Sequence, residues 1–159
     1  MKKILTVLVC ALMVLSITAC TKKETTKEYT DGKIVLVLPD DFSEYTEEGF
    51  DYCLERNDCL IMCSHASQQY LDENNLYDVE LDEFTSFFTE GEELVLSEKM
   101  ENYNLFAYKT TGTSGEMYYL VGVYDTNDGY WLVNFICMTE DLPKYESLFK
   151  EWAGKVTFK

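Results

Sequence analysis

Proline is nearly absent, with two residues in 159, and glycine is sparse at eight. That excludes collagen-like and linker-like chains, which need both in quantity. Positive charge is scarce too, with 13 Lys+Arg against 29 Asp+Glu and a formal charge of -16. A phosphate backbone is bound by a basic face that displaces its counterions, so nucleic acid is excluded as a partner. Electrostatic adhesion to anionic lipid is disfavoured for the same reason. The only histidine is His65. Its neighbour Ser64 would point to the other face of a strand, so the two form no nucleophile–base pair. No G-x-S-x-G, H-E-x-x-H, P-loop or dinucleotide glycine pattern occurs, so no catalytic class is indicated and no cofactor is expected.

The chain is rich in apolar and aromatic residues, 47% and 14% of the total. That suffices for the core of one domain and excludes wholesale disorder. Its longest uncharged apolar run, Ile4 to Ile17, follows the basic Met1-Lys2-Lys3. At that length it is too short to span ~30 Å of hydrocarbon comfortably and has the form of a secretory signal. The run ends in Leu15-Ser16-Ile17-Thr18-Ala19-Cys20. This segment resembles the lipobox of bacterial lipoproteins, with small residues directly before a cysteine. The resemblance implies cleavage before Cys20, a lipid on its thiol, and a protein held at the cell membrane on the extracytoplasmic face. Residues 1–19 would be the signal peptide and 20–30 the lipidated cysteine with a polar tether, leaving 31–159 as one globular domain. Loss of Lys2 and Lys3 leaves eleven basic residues against 29 acidic ones, a charge of -18.

Along the mature chain, Ile34 to Leu38 reads as a strand buried on both faces and ended by Pro39. Phe50–Arg56 and Cys59–His65 read as a hairpin around Asn57-Asp58. Residues 66–77 read as polar loop. A helix fits Val79–Glu90, with Leu81, Phe84 and Phe88 on one stripe, Asp78 as N-cap and Gly91 as stop. Strands are expected at Glu93–Met100, Asn102–Thr110, Glu116–Asp125 and Tyr130–Met138. In the last, Trp131, Val133, Phe135 and Cys137 share one face and Leu132, Asn134 and Ile136 the other. A closing helix carries Leu142, Tyr145, Leu148, Phe149 and Trp152, with Pro143 in its first turn and Gly154 at its end. The fold class is α+β, a mainly antiparallel sheet with about two helices packed on it.

Val37-Leu38-Pro39-Asp40-Asp41-Phe42, the hairpin, the mid-chain helix, the meander and the terminal Phe149…Trp152…Val156-Thr157-Phe158 together resemble the PsbP-like α/β/α sandwich. That group includes small lipoproteins, a photosystem extrinsic protein and a Ran-binding nuclear-transport factor. The resemblance implies a binding or interaction module and carries over no catalytic residues.

Four cysteines remain once Cys10 and Cys20 are set aside. Cys53 and Cys63 would lie opposite each other if Asn57-Asp58-Cys59 formed the hairpin tip, and export favours a disulfide. Buried free thiols are the second reading. A metal is the third: Cys59, Cys63 and His65 share a strand face and Cys53 could add a ligand, but the usual C-x-x-C knuckle is missing. Asp125-Thr126-Asn127-Asp128-Gly129 fails as a calcium loop, because its glycine comes one place early and Ile136 stands where the final glutamate belongs. Tyr118, Tyr119, Tyr124, Tyr130 and Trp131 gather around one hairpin, as a glycan-stacking groove or as core. Between Arg56 and Lys99 there are eleven acids and no lysine or arginine. Asp78, Glu80, Asp82, Glu83, Glu90, Glu92 and Glu93 concentrate around the predicted helix. This acidic face is either a solubility device or a dock for a protein or cationic ligand.

Overall fold

The computed structural model describes residues 25–159. The expected signal peptide and Cys20 lie outside the described residues. Among the described residues ten strands and three α-helices follow one another, with a 3-10 turn at Thr139–Asp141 leading into the last helix. They are β1 (Thr26–Thr30), β2 (Ile34–Pro39), β3 (Ser43–Tyr45), β4 (Tyr52–Arg56), β5 (Cys59–Ala66), α1 (Gln68–Glu73) and α2 (Leu81–Thr89). Then come β6 (Leu94–Lys99), β7 (Tyr103–Gly112), β8 (Gly115–Thr126), β9 (Gly129–Met138), α3 (Leu142–Ala153) and β10 (Thr157–Phe158).

Seven strands form one antiparallel sheet in the order β3-β4-β5-β9-β8-β7-β6, and β1-β2-β10 form a smaller one. Alternation along β9 explains the layering. Trp131, Val133, Phe135 and Cys137 enter the larger core, which also takes Ile34, Leu36 and Leu38 of β2 and Tyr145, Phe149 and Trp152 of α3. Leu132 faces the other way, into a core built with Leu71 of α1, Phe84 of α2, and Val121 and Val123 of β8. Both faces of the central sheet are therefore covered, as the two-sided apolar pattern of β9 predicts.

Three boundaries differ from expectation. Thr26–Thr30 is a strand paired to β2, with Tyr29 buried against Phe42, so half of the expected tether belongs to the domain. Residues 68–73 form a helix because Ser67 caps it, its Oγ accepting from Tyr70 N–H at 3.2 Å. Sequence periodicity misses it because one side chain, Leu71, is buried. The second helix starts at Leu81 instead of Val79. Tyr130 Oη donates to the Val79 carbonyl at 2.6 Å and holds that residue in the connection, so Glu80, not Asp78, takes the N-cap position.

Tyr124 shows how the sheet is locked to α3. Its ring lies over Gly122, where an added Cβ would meet the ring at 2.6 Å, and its hydroxyl donates to Ala153 O at 2.8 Å. Glycine at 122 is thus the space that lets the tyrosine reach the helix end.

Candidate functional site

Two surface regions and the cysteine set bear on function. The first is a cleft of about 590 Å³ beside the β8–β9 turn. His65 on β5 sits opposite Trp131 on β9, and their rings stack with centroids 4.6 Å apart. Phe158 of β10 tilts against the same tryptophan at 5.9 Å. The cleft is lined by Lys33 and Lys159, joined through Lys159 N–H to Lys33 O at 2.9 Å, and by Asp125 and Asp128. His65 Nε2 lies 2.7 Å from the Asp128 carbonyl. A carbonyl only accepts, so Nε2 carries the proton and spends it on the turn. Thr126 Oγ1 likewise donates to Gly129 O at 2.7 Å. The turn needs its glycine: Gly129 has φ +93°, and a Cβ there would come 2.1 Å from Ala66 O. The polar groups here hold the loop in shape and leave a mixed-charge, aromatic-floored hollow. Sequence inspection misses it because β5, β9 and β10 meet only in the fold.

The second region is the outer face of α2. Phe84 is buried and stacks on Tyr130 at 4.3 Å. Phe88, expected on the same core stripe, is instead 39% exposed and Phe87 is 49% exposed. Both rings lean on Phe84, at 5.3 and 6.1 Å. Glu83, Phe87 and Glu90 follow one another along one side of the helix at spacings of four and three. Glu92 and Glu93 continue the acidic rim beyond Gly91.

The eleven acids are not all uncompensated. Asp58 is bonded by Lys144, Tyr145 and Arg56, Asp82 by Lys99, and Glu98 by Lys150. Lys99 is the main cause that holds the Asp82 carboxyl below its usual range, and Asn104 Nδ2 adds a bond at 2.9 Å. Asp82 therefore fastens α2 to the sheet. Among the described residues, no cation is paired with Asp78, Glu80, Glu83, Glu90, Glu92 or Glu93.

Of the three cysteine readings, buried free thiols match the structure, and the disulfide and metal readings need correction. The β4–β5 turn has two residues, Asn57 and Asp58, so Arg56 pairs with Cys59, Cys53 with Met62 and Cys63 with Tyr52. That is a slip of one from the expected register, and a slip of one turns Cys53 and Cys63 to opposite faces. Cys53, Cys59, Cys63 and Cys137 are all free and buried. The proposed ligand set is not assembled either. Cys59 and Cys63 are four residues apart on one strand, ~13 Å, Cys53 faces away, and the His65 ring is engaged by Trp131 and Asp128. Among the described residues no three His, Cys, Asp or Glu side chains converge on a metal-sized space. The five aromatics form no common groove: Tyr118, Tyr124 and Tyr130 are buried, Tyr119 is half-buried and stacks on Tyr108 at 5.0 Å, and Trp131 reaches the surface only at the floor of the cleft.

No protein-family model matches the chain, and no curated protein matches its sequence. Among solved structures, the solution structure of cyanobacterial PsbP (CyanoP) from Synechocystis sp. PCC 6803 superposes with a TM-score of 0.50 and 12% identity. The match covers 92% of this chain and 99% of that one. At that identity the likeness speaks for architecture alone, and the architecture of this chain is the PsbP-like fold.

Proposed function

We propose that the chain is a lipid-anchored, extracytoplasmic, non-enzymatic module that binds a protein partner through the outer face of α2. The observation that carries this reading is the pair of half-exposed phenyl rings, Phe87 and Phe88, set among glutamates that have no cation. Exposed aromatics inside a charged rim are how docking sites combine an apolar anchor with electrostatic steering. The matching occupant is a cationic segment with apolar side chains. A second copy fits poorly, because a two-fold contact would set the same glutamates against one another.

The test uses an amphipathic lysine–leucine peptide as probe, with a glutamate–leucine peptide as control. The lysine peptide should bind with strong salt dependence, and the Phe87→Ser/Phe88→Ser variant should lose at least tenfold in affinity. Equal binding by wild type and variant would refute the site. Anchoring is tested separately. Cys20→Ser should abolish membrane attachment, and a processed, membrane-bound Cys20→Ser protein would refute the lipobox.

The cleft supports a second reading, capture of a small zwitterion. Its lining joins two lysines and two aspartates to the aromatic pair of Trp131 and His65. Titration with free amino acids, followed through the His65 ring resonances, would reveal occupancy.

A further inference from the structure

The strand register brings two thiols together that neither expected pairing included. Cys59 on β5 stands directly opposite Cys137 on β9, and both side chains enter the same core. Which kind of cross-strand pair they form follows from the two flanking hairpins. Across the two-residue turn Asn57-Asp58, Arg56 and Cys59 are the closing pair, and across Asn127-Asp128 the closing pair is Thr126 and Gly129. The pair that closes a two-residue turn exchanges both backbone hydrogen bonds, and these alternate along antiparallel strands. Cys59 therefore turns its N–H and C=O toward β4. Counting in twos from Gly129, Cys137 turns its own toward β8. Two further bonds agree, since Cys63 O accepts from Asp51 N–H at 2.9 Å and His65 N–H donates to Asp51 Oδ2 at 2.7 Å, both on the β4 side. Between β5 and β9 the two cysteines thus occupy a non-hydrogen-bonded site. Such pairs bring Cα atoms to ~4.5 Å, inside the ~4.4–6.8 Å that a disulfide requires.

We propose that Cys59 and Cys137 are a latent disulfide site, closed by thiol–disulfide exchange with a disulfide oxidant. One thiolate attacks the oxidant RSSR and releases RSH, giving a mixed disulfide. The second thiolate then attacks the protein-bound sulfur and releases a second RSH. The protein loses two protons and two electrons, both taken up in the two RSH, and one S–S bond of the oxidant is replaced by one in the protein. No other pair among the four thiols faces each other, since Cys53 opposes Met62 while Cys63 opposes Tyr52 and Val133. Burial pushes the Cys59 thiol up to about 12 and the Cys137 thiol up to about 11, so exchange in the closed protein is slow. Cys59 directly follows Asp58, which Lys144 and Tyr145 of α3 hold, so exchange waits on that joint loosening. A natural oxidant is met only if the export proposed from Cys20 holds, whereas the geometry of the pair stands independently.

The experiment refolds the full chain carrying Cys10→Ser and Cys20→Ser from urea in a glutathione redox buffer, then blocks free thiols and maps bonds by mass spectrometry. Free thiols should fall from four to two, with Cys59 and Cys137 joined. The oxidised form should unfold at higher urea than the reduced form. Cys59→Ser and Cys137→Ser, made separately, should each leave all three remaining thiols free. Four free thiols after oxidative refolding, or a bond between any other pair, would overturn the assignment. Export failing in the cell would leave these in vitro results unchanged, so the two ideas fail separately.

Discussion

At the scale of single residues, the fold rests on a few side chains whose room is made by a missing atom elsewhere. Gly129 combines a left-handed φ with a neighbour at 2.1 Å from any added Cβ. Gly129→Ala is expected to cost at least ~2–3 kcal/mol from backbone strain and the clash with Ala66 O, read as a lower urea midpoint. It should also perturb His65, whose ring bonds to the same turn. Tyr124→Phe removes one buried hydrogen bond and leaves the Ala153 carbonyl without it, a loss of about 1–2 kcal/mol. Unfolding with urea checks both, and a neutral Tyr124→Phe would mean that ring packing alone holds α3.

At the scale of elements, the expected order of strands and helices was largely readable, because long alternating stretches such as Tyr130–Met138 leave little choice of period. The β8–β9 turn was readable from Asn127-Asp128-Gly129 for the same reason of local chemistry. What escaped depended on distant partners. Ser67 starts a helix with almost no apolar stripe, and Tyr130 fixes where α2 begins from 51 residues away. The hairpin register turned on whether its tip held two residues or three, a difference that pattern alone does not resolve. The acidic face was legible as composition, but the phenyl rings at its centre were not, since Phe84 and Phe88 share a stripe and differ only in what covers them.

Asp58 joins the β4–β5 turn to α3. Its burial works to raise its carboxyl, but the bonds from Lys144 and Tyr145 outweigh this and the net shift is downward. A carboxyl held lower in the folded state stabilises it above the ordinary carboxylate range and stops doing so as pH falls through the folded value. Tyr145→Phe should move the Asp58 carboxyl back up and lose ~1–2 kcal/mol near neutral pH. An NMR titration of Asp58 measures the first effect, and an unchanged midpoint would deny the joint its role. Around α2, charge reversal belongs at Glu83 within the helix and at Glu90 and Glu92 just beyond its end. Asp82 is better left alone, because its bonds to Lys99 and Asn104 make it a fastener. The triple reversal to Lys should slow association with the cationic probe at low salt at least tenfold and shift stability little, and equal rates would make the acidity a matter of solubility.

For the whole molecule, pH sets an upper limit more sharply than a lower one. Burial pushes the Cys137 thiol up to about 11 and Tyr45, Tyr118 and Cys59 up to about 12, with Cys63 and Tyr124 raised as well. Each of these groups binds its proton more tightly folded than unfolded. Their contribution is intact below the ordinary thiol and phenol values and is lost as pH climbs toward the folded ones. Stability should therefore fall steeply above about pH 9 and more steeply than in a chain with exposed tyrosines. Urea midpoints at successive pH values check this. The net charge of -16 adds a second dependence, since salt should raise the midpoint by screening self-repulsion.

The pairing of β1 with β2 has a bearing on posture. If Cys20 carries the lipid, only residues 21–25 lie between it and the first strand, a leash of at most ~18 Å. The module would then be moored like a boat on a short line, unable to swing through all headings. The three-stranded sheet would stay nearest the bilayer, and a visitor would have to approach laterally or from above. Lengthening that leash with a flexible insert before Thr26 should free the orientation, and fluorescence anisotropy on vesicles would register faster tumbling without any change in the fold.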